Sequence, residues 1–194
     1  TENNTYTQKH VESVLALDLV DVEAIRKAGF TVAIDCVNSV GGVALPVLLE
    51  ALGVKQVEKL YCDPTGHFPH NPEPLPENLS ALSSEVKQQK ADIGIAVDPD
   101  VDRLALIDEQ GVPFGEEYTL VAVADYVLAH KKGNTVSNLS STKALRDISE
   151  KHGVLYSASA VGEVNVVEKM KETNAVIGGE GNGGVIFPEI STCR

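Results

Sequence analysis

Asp98, Asp100 and Asp102 alternate along the stretch Asp98-Pro99-Asp100-Val101-Asp102-Arg103, which follows directly on the apolar run Ile93-Gly94-Ile95-Ala96-Val97. Carboxylates spaced so closely repel one another and resist burial, so a chain that sets them at the end of a buried strand needs a cation to offset them. Mg2+ suits such a set of oxygens. Arg103 adds a fixed positive fork that matches phosphate oxygens, which points to phosphoryl chemistry rather than passive ion storage. Two other readings compete. Aspartates also cluster on solvated turns and at helix caps. Counted from Asp98, the carboxylates of Asp98, Asp100, Asp102 and Glu109 also reproduce the ligand spacing of an EF-hand. The calcium reading fails on its details, because the sharp-turn position is Arg103 rather than Gly and the entering segment reads as a strand.

A second constellation is Gly178-Gly179-Glu180-Gly181-Asn182-Gly183-Gly184. So many glycines let the backbone approach a ligand closely, while Glu180 and Asn182 can accept from and donate to adjacent sugar hydroxyls. Composition alone would equally fit a flexible glycine turn.

The elements that must position these groups alternate in type. Apolar spacing predicts helices over 11–19 and 22–28, the second closed by Gly29, then a strand over 31–34 ending at Asp35. A helix over 44–52 follows, with Pro46 confined to its first turn, then a strand over 57–61. The Pro- and His-rich segment 64–76 is a long irregular loop. A helix over 77–90 and strands over 92–97 and 104–107 bracket the aspartates. A second round predicts helices over 118–130, 142–152 and 161–171 and strands over 135–139, 154–157 and 175–177. The fold class is therefore α/β: two consecutive similar units, each a mixed, mostly parallel sheet flanked by helices, with ligand groups at the carboxyl ends of strands. The units are assigned to residues 1–113 and 114–194, with a turn at Glu109-Gln110-Gly111 near their junction.

The chain has 194 residues, 43% of them hydrophobic, enough for one large core or two small ones. A formal net charge of -12 argues against non-specific binding to nucleic acid or to an anionic membrane. Cys36, Cys62 and Cys193 are widely separated in sequence and form no C-x-x-C pair, which fits a reducing, cytoplasmic setting. No apolar run approaches the roughly 18 to 20 residues of a membrane span, and the polar start is no signal peptide. His67 and His70 could ligate a metal, but loop packing is the better reading; Asp35 and Asn38 at a strand end either orient the fold or cap the following helix, and capping is the better reading.

The succession of a D-x-D-x-D-R loop, a V-G pair at Val161-Gly162 and a G-E-x-N-G loop resembles the α-D-phosphohexomutase family of phosphoglucomutases, phosphomannomutases and phosphoglucosamine mutases. Phe68-Pro69 with Pro72 and Pro74, followed by Glu77-Asn78-Leu79, is similar to the connection that precedes the metal loop in those enzymes. The resemblance covers essentially the whole chain and implies the middle two of four domains. It implies that Asp98, Asp100 and Asp102 hold Mg2+ opposite a phosphoserine and that Arg103 stabilises the phosphoryl group in flight. It implies too that Glu180 and Asn182, with Gly179 in the same loop, bind the sugar. The reaction implied interconverts hexose 1-phosphate and hexose 6-phosphate through a hexose 1,6-bisphosphate.

The chain departs from the family pattern at several points. Pro99 stands where Gly is commoner, which removes an N–H but keeps the ligand spacing. Asn182 replaces a common Ser, Gly184 a common His and Ser159 a Thr. The stretch 140–143 lacks a Lys where some relatives use one for substrate phosphate, and Lys143 is the nearby candidate. Pro69-His70-Asn71-Pro72 copies the tail of the family's nucleophile motif without its serine. The expectation is a fragment, inactive alone, whose partners are hexose phosphates and the flanking domains of a parent chain. The rival readings are a haloacid-dehalogenase-type phosphatase with Asp98 as nucleophile, and a non-catalytic module that binds metal or sugar phosphate.

Overall fold

The computed structural model describes residues 5–192; Cys193 lies outside them. The chain divides into two compact units. One runs from the N-terminal end through Val101 and includes Leu106–Pro113; the other comprises Asp102–Ala105 and everything from Phe114 onward.

The first unit opens with α1 (Tyr6–Leu15) and α2 (Val22–Ala28). The first helix starts earlier than its apolar spacing suggests and also ends earlier. Its exposed polar first turn needs no core contact, and the bonds Ala16 N–H to Glu12 O and Leu17 N–H to Val14 O close it. The second is capped by the Asp21 carboxylate, which accepts from Ala24 N at 2.8 Å, and stops at Gly29 in the left-handed region. Then come β1 (Thr31–Asp35), α3 (Gly41–Ala51), β2 (Gln56–Leu60), α4 (Ser80–Gln89), β3 (Ile93–Val97) and β4 (Leu104–Ile107). A short 3-10 turn at Pro76–Asn78 takes up the expected start of α4.

Pro46 is inside α3 rather than in its first turn, because the helix begins at Gly41. Glycine is required there: a Cβ on Gly42 would stand 2.2 Å from the Cys62 carbonyl oxygen. The four strands lie in the order β2-β1-β3-β4, with β1 parallel to both neighbours. The six residues between β3 and β4 are too few for a helical crossover. Leu82 and Val86 of α4 are fully buried and pack toward β1 and β3. Each contributes about 1.5–3 kcal/mol of burial.

The second unit repeats the plan as α5 (Glu116–His130), β5 (Asn134–Asn138), α6 (Ala144–His152), β6 (Tyr156–Ser159), α7 (Glu163–Thr173), β7 (Ala175–Glu180) and β8 (Gly184–Ile186). Its order, β6-β5-β7-β8, matches that of the first sheet, with β5 parallel to β6 and β7, and β8 antiparallel to β7. Adjacent residues of β5 face opposite layers. Val136 joins Val166, Met170 and Ile186 in an apolar cluster, whereas the Thr135 hydroxyl meets Ser149 of α6 at 2.6 Å. The strand expected over 154–157 forms two residues later. Val154 N–H is used to close α6 on Ser149 O, and the ladder starts when Thr135 N–H bonds Leu155 O.

The glycine-rich segment is a hairpin rather than one long loop. Gly178, Gly179 and Glu180 end β7, and Gly184 opens β8. The glycines permit this closeness, since a Cβ on Gly178 would stand 2.5 Å from Met170 Sδ and one on Gly179 2.1 Å from Gly184 O. Among the described residues no helix is long and apolar enough to cross a membrane.

Candidate functional site

The aspartate loop leaves the carboxyl end of β3, whose apolar residues pull Asp98 down with them: its residue is 0% exposed, while Asp102 is half-buried and Asp100 exposed. One carboxylate oxygen from each of Asp98, Asp100 and Asp102 lies within 4.8 Å of the others. They form the one group of three or more His, Cys, Asp or Glu side chains among the described residues whose ligand atoms converge. Glu109, the fourth carboxylate of the calcium spacing, is not among them. The loop doubles back through Val101, held at φ +64° with its N–H on Asp98 O at 3.2 Å. A β-branched residue there is strained, which is common where a loop must aim side chains. Oxygen-only donors at this spacing fit a hard divalent cation. Arg103 Nε stands 3.6 Å from Asp102 Oδ1, so its guanidinium is beside that carboxylate.

At the carboxyl end of β1, Asp35 and Asn38 do other work than capping. The buried Asp35 carboxylate accepts from Val37 N at 3.0 Å and meets His70 Nε2 at 3.0 Å, and burial raises its pKa against the lowering influence of those two partners. Asn38 Nδ2 donates to His67 O at 3.0 Å, while the N-cap of α3 is Val40, which offers no side-chain cap. His70 also bonds Asn71 O through Nδ1 at 2.8 Å and meets the Tyr61 ring edge-on, so it fastens the 64–76 loop to β1. Cys36 and Cys62, distant in sequence, come together: parallel pairing of Asp35 with Leu60 places them side by side. The Cys62 thiol donates to Leu60 O at 3.3 Å, and the interaction of the neighbouring thiols pushes the buried Cys36 up and draws Cys62 below the ordinary thiol value.

In the second unit Glu180 ends β7 and is buried. Its Oε1 accepts from Asn138 Nδ2 at 2.6 Å and from Gly162 N at 3.2 Å. Asn138 is the hub: its Oδ1 accepts from Ser140 Oγ at 3.0 Å, Ser141 Oγ at 2.7 Å and Ser141 N at 3.1 Å. Ser141 Oγ in turn accepts from Gly181 N at 2.9 Å, tying the hairpin tip to the end of β5. Asn182 Oδ1 accepts from Gly184 N at 3.1 Å. Asn138, Ser140, Val161, Glu180, Gly181 and Asn182 line a hollow of 180 Å3. Gly179 is in β7 and is not in that lining. Lys143 is not in that lining; it borders a neighbouring hollow of 200 Å3 together with Arg146, whose guanidinium stacks 5.3 Å above the Tyr156 ring. Sequence reading does not single out Asn138 and Ser141, although polar side chains closing and following the strand β5 are the available signal.

Two tandem α/β units of one strand order, one ending a strand in clustered aspartates and the other in a buried glutamate, define a recognisable class. Residues 8–111 match the family described as phosphoglucomutase/phosphomannomutase, alpha/beta/alpha domain II, and residues 115–194 match its domain III. The chain belongs to the phosphoglucomutase/phosphomannomutase family. It is 42% identical over 172 residues to the phosphoglucomutase/phosphomannomutase of Thermococcus kodakarensis, covering 88% of this chain and 38% of that protein. It is 33% identical over 194 residues to a probable phosphoglucosamine mutase of Methanopyrus kandleri, covering 99% and 42%. Among solved structures, a putative phosphomannomutase from Thermus thermophilus superposes with a TM-score of 0.85 at 26% identity, covering 97% of this chain and 44% of that one. The chain thus spans about 40% of the length of the relatives it matches.

Proposed function

We propose that this chain supplies the metal loop and the sugar loop of an enzyme that interconverts hexose 1-phosphate and hexose 6-phosphate. Asp98, Asp100 and Asp102 hold Mg2+, which when bound neutralises phosphate charge and polarises a phosphoryl oxygen. Arg103 offers its guanidinium to the equatorial oxygens of the phosphoryl group in transfer. Glu180 and Asn182 take the sugar hydroxyls, with Gly179 allowing close approach. Lys143 is the candidate cation for a substrate phosphate. The nucleophile is a serine elsewhere in a longer parent protein, so this chain alone does not turn over, and its ligands are hexose phosphates and a hexose 1,6-bisphosphate. The setting is cytoplasmic.

The observation that carries this reading is the convergence of three aspartate oxygens within 4.8 Å at the end of a buried strand, in a chain of this family. The same convergence supports the non-catalytic binding reading only for the chain in isolation. A two-ligand NMR titration tests the assignment. Mg2+ is expected to move the amides of 98–103, and glucose 1,6-bisphosphate those of 179–182, with Glu180→Gln abolishing only the second response. Absence of both responses in the wild type would contradict the reading.

A further inference from the structure

The Ser39 hydroxyl donates to the carbonyl of Pro99, inside the aspartate loop. Ser39 comes from a turn that is itself tied down on all sides. Val37 and Asn38 are both in the left-handed region, at φ +43° and +54°. They are held by Val37 N on Asp35 Oδ1 at 3.0 Å, Asn38 N on Tyr61 O at 2.6 Å and Asn38 Nδ2 on His67 O at 3.0 Å. Gly66 N on Asn38 O and Ser39 N on Cys36 O, both 2.9 Å, complete the set. The hydroxyl is therefore delivered from a fixed point.

The loop it meets closes on itself through Val101 N on Asp98 O at 3.2 Å, and residue 99 lies inside that turn. Proline has no N–H, so the carbonyl is the only backbone handle at residue 99. That carbonyl orients the peptide plane leading into Asp100, and Asp100 is exposed, so packing does not place its carboxylate. Asp98, by contrast, is buried with β3. We propose that Ser39 is a positioning residue for the aspartate loop, setting its affinity for a divalent cation by holding the Pro99 carbonyl and hence Asp100. This inference rests on the metal reading above. Partners that orient ligands from behind commonly control metal affinity as strongly as they control shape.

The test is a Mg2+ titration of this chain followed by NMR at the amides of Asp100 and Asp102, with thermal unfolding measured in parallel. Ser39→Ala is expected to raise the dissociation constant about fivefold, the equivalent of ~1 kcal/mol. Ser39→Thr, which keeps the hydroxyl, is expected to restore affinity. Ser39→Cys, with a weaker donor of similar size, is expected to fall between, and it carries the test if the alanine variant does not fold. A lowered melting temperature with wild-type Mg2+ affinity in the alanine or cysteine variant would overturn the proposal and leave the metal reading standing. A wild-type chain that binds no Mg2+ would overturn both.

Discussion

Asn138→Ala is expected to damage the second unit more than any surface substitution, and the structure gives the size. Asn138 is 2% exposed, and its amide makes a 2.6 Å bond to the buried Glu180 carboxylate. Hydrogen bonds to a charged group are worth about 1.5–3 kcal/mol, and the three contacts at Oδ1 involve two serines that would lose an acceptor at about 0.5–1.5 kcal/mol each. These bonds share atoms and do not sum, so the expected loss is about 3 kcal/mol, with Glu180 retaining only Gly162 N among the donors named above. Urea unfolding followed by circular dichroism, read on the transition of the second unit, measures it. Asn138→Asp sharpens the argument by setting a second carboxylate against Glu180. It should be worse than alanine at pH 8, because the two carboxylates repel one another in a buried site. A loss below 1 kcal/mol for alanine, or an Asp variant as stable as wild type at pH 8, would refute the hub assignment.

Two further outcomes follow from local geometry. Gly42→Ala should cost about 2–4 kcal/mol, because its Cβ would stand 2.2 Å from the Cys62 carbonyl oxygen and backbone has to move; chemical denaturation of the first unit checks it. The Asp125 carboxylate bonds His152 Nε2 at 2.5 Å and Lys151 Nζ at 3.1 Å, in that order the causes that lower its pKa from the ordinary 3.8. A lowered folded-state pKa means its contribution is present above the unfolded value and fades as pH falls through the lowered one. Asp125→Asn should thus flatten the acid limb of the melting-temperature profile below about pH 4 and leave the aspartate loop untouched.

Much of the fold could be read from the chain because its signals are local. Gly29 and Gly153 stop helices in the left-handed region, and β-branched runs at 31–35 and 93–97 mark central strands. The aspartate loop was legible for the same reason, since its three carboxylates lie within five residues. What escaped was non-local. Gly178 and Gly179 read as loop because nothing in their composition reveals the Met170 and Gly184 atoms that exclude a side chain. Asp35 read as a cap because its partner His70 is 35 residues away, and Cys36 with Cys62 read as separate because only parallel pairing of β1 with β2 joins them. Asn138 was missed on the same ground: its chemistry is with Glu180, 42 residues on.

The central claim is that Asp98, Asp100 and Asp102 form a divalent-cation site that serves sugar-phosphate chemistry. Calorimetric titration of the chain with Mg2+, with and without glucose 1,6-bisphosphate and with Asp100→Ala as control, tests it most directly. The expected result is weak binding that strengthens with the bisphosphate and disappears in the alanine variant. No heat at millimolar Mg2+ with the bisphosphate present, or equal binding by Asp100→Ala, would mean that the aspartates are a solvated turn and that the claim is wrong.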